Sequence, residues 1–190
     1  MSPVNHILTG WVLANANKGF TSRERLAITL ACIVPDLDGL GIVAEYLTRG
    51  SASPFTWWSD FHHVLAHNLL FGLILTIAVY LLFQRNWIIA ALVFLSFHLH
   101  LLEDLVSGRQ ADGHIWSIQY FYPFSNTEWV WSGQWELNAW PNFAVAVFLL
   151  LFTFYLAWRR GYSPLEMISR HADGLFISSL RERFGHPNTD

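Results

Sequence analysis

The segment "DFHHVLAHNLLFGLILTIAVYLLF", residues 60–83, sets three histidines directly before an uncharged apolar run. Imidazole is costly to bury without a partner, whereas the run that follows suits a lipid environment. Composition decides how to read it. Only 13% of residues are charged and 53% are hydrophobic, with mean hydropathy +0.32. Soluble domains carry roughly 25% charge. Ten Trp, fifteen Phe and six Tyr supply the aromatic excess that membrane–water interfaces favour. The segment therefore reads as the histidine-capped mouth of a membrane helix.

Two further stretches extend this reading. Residues 142–158, "NFAVAVFLLLFTFYLAW", and 87–102, "WIIAALVFLSFHLHLL", are similarly apolar. A span needs about 20 residues, so each of the three is adequate only with its flanks. Residues 3–17 and 22–35 read as shorter helices, the second opened by Thr21 or Ser22 with Glu24 as a capping signal. Asp60 is expected to cap the helix after it. The predicted class is all-α, a polytopic membrane helical bundle occupying residues 1–161.

Residues 108–140 are rich in Gly, Trp and Tyr, and "EWVWSGQWEL" alternates as a short hairpin would around Ser132-Gly133. They are expected to form a small Trp-rich extramembrane cap on the periplasmic side. In residues 162–190, Leu165, Ile168, Leu175, Phe176, Leu180 and Phe184 recur at helical spacing, predicting an amphipathic helix followed by a tail. The opening "MSPVNHILTG" lacks the basic region and long apolar run of a signal peptide. Insertion is expected to rest on internal segments.

Composition also removes function classes. A net charge of −3 offers no basic field for nucleic acid. The single cysteine, Cys32, rules out an intrachain disulfide and a Cys-rich zinc site; within "LAITLACIV" it reads as a core residue.

The charges sort by end. Lys18, Arg23, Arg25, Arg85, Arg159 and Arg160 fall where an up-and-down topology gathers them on one side, which the positive-inside rule makes cytoplasmic. His6, Asp36, Asp38, His62, His63, His67, His100 and Asp104 fall on the other, expected to face outward. His100 and Asp104, four residues apart, share a helix face and can chelate one ion or hydrogen-bond to each other. In "PDLDG", Pro35 discourages helix at Val34, and an extended Asp36-Leu37-Asp38 would project both carboxylates to one side. His98 points away from His100 around the same helix, and Glu103 is a conceivable general base. His114 is a candidate to close the group from the cap. Ionisable side chains at membrane depth usually mark function. A His/Asp set without Cys suits zinc first, with Mn²⁺ or Fe²⁺ as alternatives. So many donors imply two or more divalent metal ions.

"NHILTGWVLA", "CIVPDLDG", "HHVLAHNLLFG", "HLHLLEDLVSG" and "YPFS" together resemble, in order, the motifs of the bacterial membrane-bound metal-dependent hydrolase family (YdjM-like), over roughly residues 5–125. More distantly, His6, Asp36, His67 and His100-x-x-x-Asp104 are similar in order to the ligands of zinc-dependent phospholipase C. The resemblance implies a helical scaffold and a metal cluster for phosphoester hydrolysis. It pairs His62 rather than His63 with His67, although helical spacing would pair His63 with His67. Where the family shows His-Arg-x-x-Thr-His-Ser, this chain has His63 in place of the Arg, and Ala66 and Asn68 in place of the Thr and Ser.

The expected ligands are thus Asp36, His67, His100 and Asp104, which also carry the catalysis, joined by His6, Asp38, His62 and His114. From Arg85 to His100 and from Arg23 to Asp36 the chain climbs roughly 20 Å at about 1.5 Å per residue. Against a hydrocarbon core about 30 Å thick, that height places the site below the outer headgroups. A membrane lipid or other amphiphile is the expected substrate. A divalent-cation carrier is the alternative, disfavoured because the ligands gather at one end only. A haem-binding subunit would leave the carboxylates without purpose.

Overall fold

The computed structural model describes residues 1–110 and 113–187, and within them the chain is helical. Eight α-helices are present among the described residues: α1 Pro3–Ala14, α2 Ser22–Ala31, α3 Gly41–Thr48, α4 Trp57–Phe61, α5 Leu69–Leu82, α6 Trp87–Ser107, α7 Trp140–Arg160 and α8 Arg170–Phe184. Two 3₁₀ segments, Val34–Leu40 and Pro164–Met167, interrupt the series.

Local chemistry accounts for the ends. Thr21 and Glu24 form a reciprocal capping box at the start of α2, satisfying backbone donors that a helix start leaves open. Asn68 caps α5, its Oδ1 accepting from Phe71 N–H at 2.9 Å. Asp60 lies inside α4 instead, and its carboxylate accepts from Thr56 Oγ1 at 2.5 Å. Residues 62–68 are consequently a turn segment before α5 rather than the first turns of that helix.

α6 and α7, each of 21 residues, are long and apolar enough to cross a membrane. α5 is apolar but only 14 residues long, about 21 Å at 1.5 Å per residue, so it falls short of a full span by itself. α2 and the following Val34–Thr48 unit meet the same test together but are bent by 54°. Pro35 sits at that break, in keeping with its lost N–H and restricted predecessor. Lipid-suited surface is plentiful: Ile74, Ile77, Leu81, Phe143, Val147, Phe148 and Leu151 are all exposed.

Inside, Ala14, Phe20, Ile28, Ala31, Val79, Ile89 and Val93 form one apolar cluster at the basic end of the bundle. α1 packs on α2, α6 and α7, and α6 packs on α5 and α2. Close approach depends on two glycines. A Cβ at Gly10 would lie 2.7 Å from the Thr29 carbonyl oxygen, and one at Gly72 would lie 2.7 Å from the Phe97 ring.

The cap differs from the hairpin expected. No strand forms among the described residues; Ile118 and Trp129 make an isolated antiparallel bridge and Arg109 and Glu136 a parallel one. Side chains hold the loop instead. Gln134, buried, accepts from Trp116 N–H at 3.1 Å and donates to the Trp116 carbonyl at 2.7 Å. At the other end, Arg25 grips Glu166 with two bonds of 2.6 and 2.7 Å, and lies 3.6 Å from the centre of the Tyr162 ring. α8 turns Ile177 and Leu180 inward with Asp173, whose carboxylate accepts from Ser163 Oγ at 2.6 Å. Of the expected apolar face, Leu180 is buried, while Ile168, Leu175 and Phe184 are exposed.

Candidate metal centre

Each element brings one part of the centre. The first turns of α1 carry His6, the 3₁₀ segment after α2 carries Asp36 and Asp38, the turn before α5 carries His62, His63 and His67, and the last turns of α6 carry His100 and Asp104. Arg160 at the end of α7 donates to the Asn15 carbonyl just past α1, so the basic ends meet on the opposite side. Arg109, two residues past α6, is an exception on the donor side.

His67 and His100 are fully buried, and their Nε2 atoms face each other at 3.1 Å. Their outer nitrogens are already committed. His100 Nδ1 lies 2.9 Å from the Cys32 carbonyl oxygen and His67 Nδ1 lies 3.0 Å from Asp38 Oδ2. Carbonyl and carboxylate oxygens only accept, so both rings carry their proton on Nδ1. Both Nε2 lone pairs then converge, and Asp104 Oδ2 joins them at 3.0 Å from His100 and 3.6 Å from His67. Three acceptors aimed at one point require a cation among them. A proton or a metal ion can supply it.

Around this point two donor sets overlap. His6, Asp36, His100 and Asp104 offer ligand atoms within 4.8 Å of one another, and His63, His67 and Asp104 form a second such set. Asp104 belongs to both: its Oδ1 is 3.2 Å from His6 Nε2 while its Oδ2 faces His67 and His100. One carboxylate can therefore serve two neighbouring ions. The Met1 amino group also contacts Asp104 Oδ1.

Some of these buried ring nitrogens lack a hydrogen-bond partner. His6 Nδ1 is 2.6 Å from Glu103 Oε2, yet neither ring nitrogen of His6 has an aligned hydrogen bond, and His63 Nδ1 also lacks a partner. Burial lowers the His6 pKa, but Asp104, Cys32 and Glu103 outweigh it and raise the value to about 11. For His67, burial is likewise overcome by Asp104 and Asp38, and the value rises to about 9. Burial pushes His63 well below the ordinary imidazole range, and the neighbouring His67 adds to that effect.

The histidine turn is not helical, yet it brings together His63 and His67, the pair that helical spacing gives. His63 adopts a positive φ of 69°, a conformation non-glycine residues adopt at a cost of about 1–3 kcal/mol. There its ring stacks on His67 at 4.5 Å and on Trp116 at 4.2 Å. His62 stacks instead on Trp58 at 3.7 Å and directs Nδ1 to Asp38 Oδ1 at 2.8 Å. Of the expected ligands, His6, Asp36, His67, His100 and Asp104 come together. His63, not His62, joins them. Asp38 stands behind His62 and His67, and His114 lies in the cap with its ring 6.3 Å from Trp116. Glu103, in sequence a conceivable general base beside Asp104, accepts from Thr9 and lies beside His6.

Against these donors opens a cavity of about 450 Å³. Ile33, Leu37, Leu40, Trp58, Trp116 and Leu137 wall it, with Asp36, His62, His63 and Asp104 on the inner side.

No curated protein and no solved structure matches the chain. A family model, the YdjM inner membrane protein, matches residues 1–171. Together with the apolar helices α6 and α7, the match makes this chain a membrane protein belonging to the YdjM inner membrane protein family.

Proposed function

We propose that the chain is a metal-dependent hydrolase of the inner membrane, acting on a phosphoester or ester of a lipid or other amphiphile. The observation that carries the reading is the convergence of His67 Nε2, His100 Nε2 and Asp104 Oδ2, three acceptors without a proton of their own, with Asp104 also lining an apolar cavity. His6, Asp36, His100 and Asp104 would hold one ion, and His63, His67 and Asp104 a second, with zinc first and Mn²⁺ or Fe²⁺ as alternatives. When bound, such ions lower the pKa of a coordinated water and offset charge developing on the substrate oxygen.

The rest of the work falls to the protein. Leu37, Leu40 and Leu137 offer apolar surface to an acyl chain, and Trp58 and Trp116 line the same cavity. A headgroup ester then meets Asp36 and Asp104 with most bulk water excluded, which strengthens every polar contact there. The basic ends of α5, α6 and α7 support an orientation with Arg85, Arg159 and the C-terminus cytoplasmic and the centre towards the periplasm.

The test is an assay in detergent against short-chain phospholipids and soluble phosphodiesters, with and without added Zn²⁺. The reading predicts metal-dependent turnover of the lipids. Cleavage of soluble compounds alone, with lipids neither cleaved nor inhibitory, would defeat the amphiphile assignment. Stoichiometric metal with no hydrolysis of any ester would favour a cation-binding role.

A further inference from the structure

Asp38 is buried on the 3₁₀ segment between α2 and α3. Its carboxylate accepts from His62 Nδ1 at 2.8 Å through Oδ1, and from His67 Nδ1 at 3.0 Å and the Ala66 N–H at 3.1 Å through Oδ2. Its carbonyl accepts from Trp57 Nε1 at 3.1 Å. Both carboxylate oxygens thus face the histidine turn, and among the described residues Asp38 belongs to neither converging donor set. A carboxylate that accepts from a ring nitrogen fixes the tautomer, leaving the opposite nitrogen as a lone pair.

We infer that Asp38 is a positioning residue and not a metal ligand: one carboxylate sets two histidines at once. It turns His67 Nε2 towards Asp104 and His100, and ties His62 beside the cavity. Two rings five residues apart in a turn segment would otherwise each choose between two tautomers. Only one of the four combinations presents both Nε2 lone pairs. The inference rests on the metal-centre reading for its affinity readout, but its tautomer readout needs no metal.

The experiment uses the full chain in detergent. Asp38→Asn keeps the side-chain shape but offers one accepting oxygen and one donating amide, so it can satisfy only one of the two rings. Zn²⁺ titrated against a competing chelator gives affinity and the number of ions at saturation; ¹⁵N spectra of histidine-labelled, metal-free protein, recorded at a pH high enough to leave both rings neutral, give the tautomers. The wild type should show Nδ1–H rings at His62 and His67. The variant should bind the same number of ions roughly 10–100-fold more weakly, with one ring moved towards the Nε2–H form. His62→Ala should leave Zn²⁺ affinity close to wild type. Fewer ions at saturation in a folded Asp38→Asn protein would make Asp38 a ligand and overturn the inference, as would unchanged affinity and tautomers. Should that variant not fold, the metal-free wild type decides alone: an Nε2–H form at either His62 or His67 overturns it. A wild type that binds no Zn²⁺ defeats the metal-centre reading, while the tautomers still judge Asp38.

Discussion

His67 and His100 face each other through Nε2 atoms 3.1 Å apart, with their Nδ1 protons held by Asp38 and the Cys32 carbonyl. Without a metal, a proton must fill the gap. The His67 pKa accordingly stands at about 9, because Asp104 and Asp38 overcome the lowering due to burial. A folded value above the unfolded one stabilises the protein fully below about pH 6.5. That stabilisation is lost as the pH rises through about 9. Metal ions compete with the same proton, so their affinity rises over the same interval. Metal-stripped protein should therefore lose thermal stability between these pH values, and Zn²⁺-loaded protein should not. Equal pH dependence in the two forms, followed by circular dichroism melts, would contradict this.

Gly10 links packing to the centre. A side chain there meets the Thr29 backbone at 2.7 Å and Cys32 Cβ at 2.8 Å, atoms that cannot swing aside. Gly10→Ala should force α1 away from α2, destabilising the protein by about 1–3 kcal/mol. Since α1 carries His6, Zn²⁺ affinity should fall as well. A variant with native melting and native affinity would show that this contact is not tight.

The histidine turn groups His63 with His67, as helical spacing would and the family resemblance would not. His63 offers a ligand atom to His67 and Asp104, while His62 is held by Asp38. His63→Ala should reduce the number of bound ions, and His62→Ala should not. The reverse pattern, by elemental analysis, would favour the pairing of His62 with His67 that the family resemblance suggests.

How much of this was legible in residues alone depends on the backbone. His100 and Asp104 lie on a regular helix, where a spacing of four puts two side chains on one face, and α6 keeps that geometry to Ser107. Helices of alternating direction were enough to bring His6, Asp36 and His67 to the same end. The histidine turn was not legible, because a left-handed residue at His63 follows no sequence rule when it is not glycine. Nor was Asp38 legible as distinct from Asp36. A 3₁₀ segment, not an extended one, separates the two side chains and sends Asp36 towards His100 and Asp38 to His67. In the cap, alternation suggested a hairpin, but Gln134 and Trp135 are held by hydrogen bonds to Trp116 and Asn142 rather than by a ladder.

The proposed orientation rests on the basic rim. Arg159 and Arg160 close α7, and Arg85 lies between α5 and α6. A reporter fused after Arg160 should be active only as a cytoplasmic enzyme. Periplasmic activity of the same fusion would invert the topology.

The central claim is a divalent metal centre built on Asp104. Elemental analysis of protein purified without chelators tests it most directly. The account predicts two or more divalent ions per chain, with Asp104→Ala losing both sets and His100→Ala losing at least one ion while both variants remain folded. A wild type free of metal, or full occupancy in the folded Asp104→Ala protein, would contradict it.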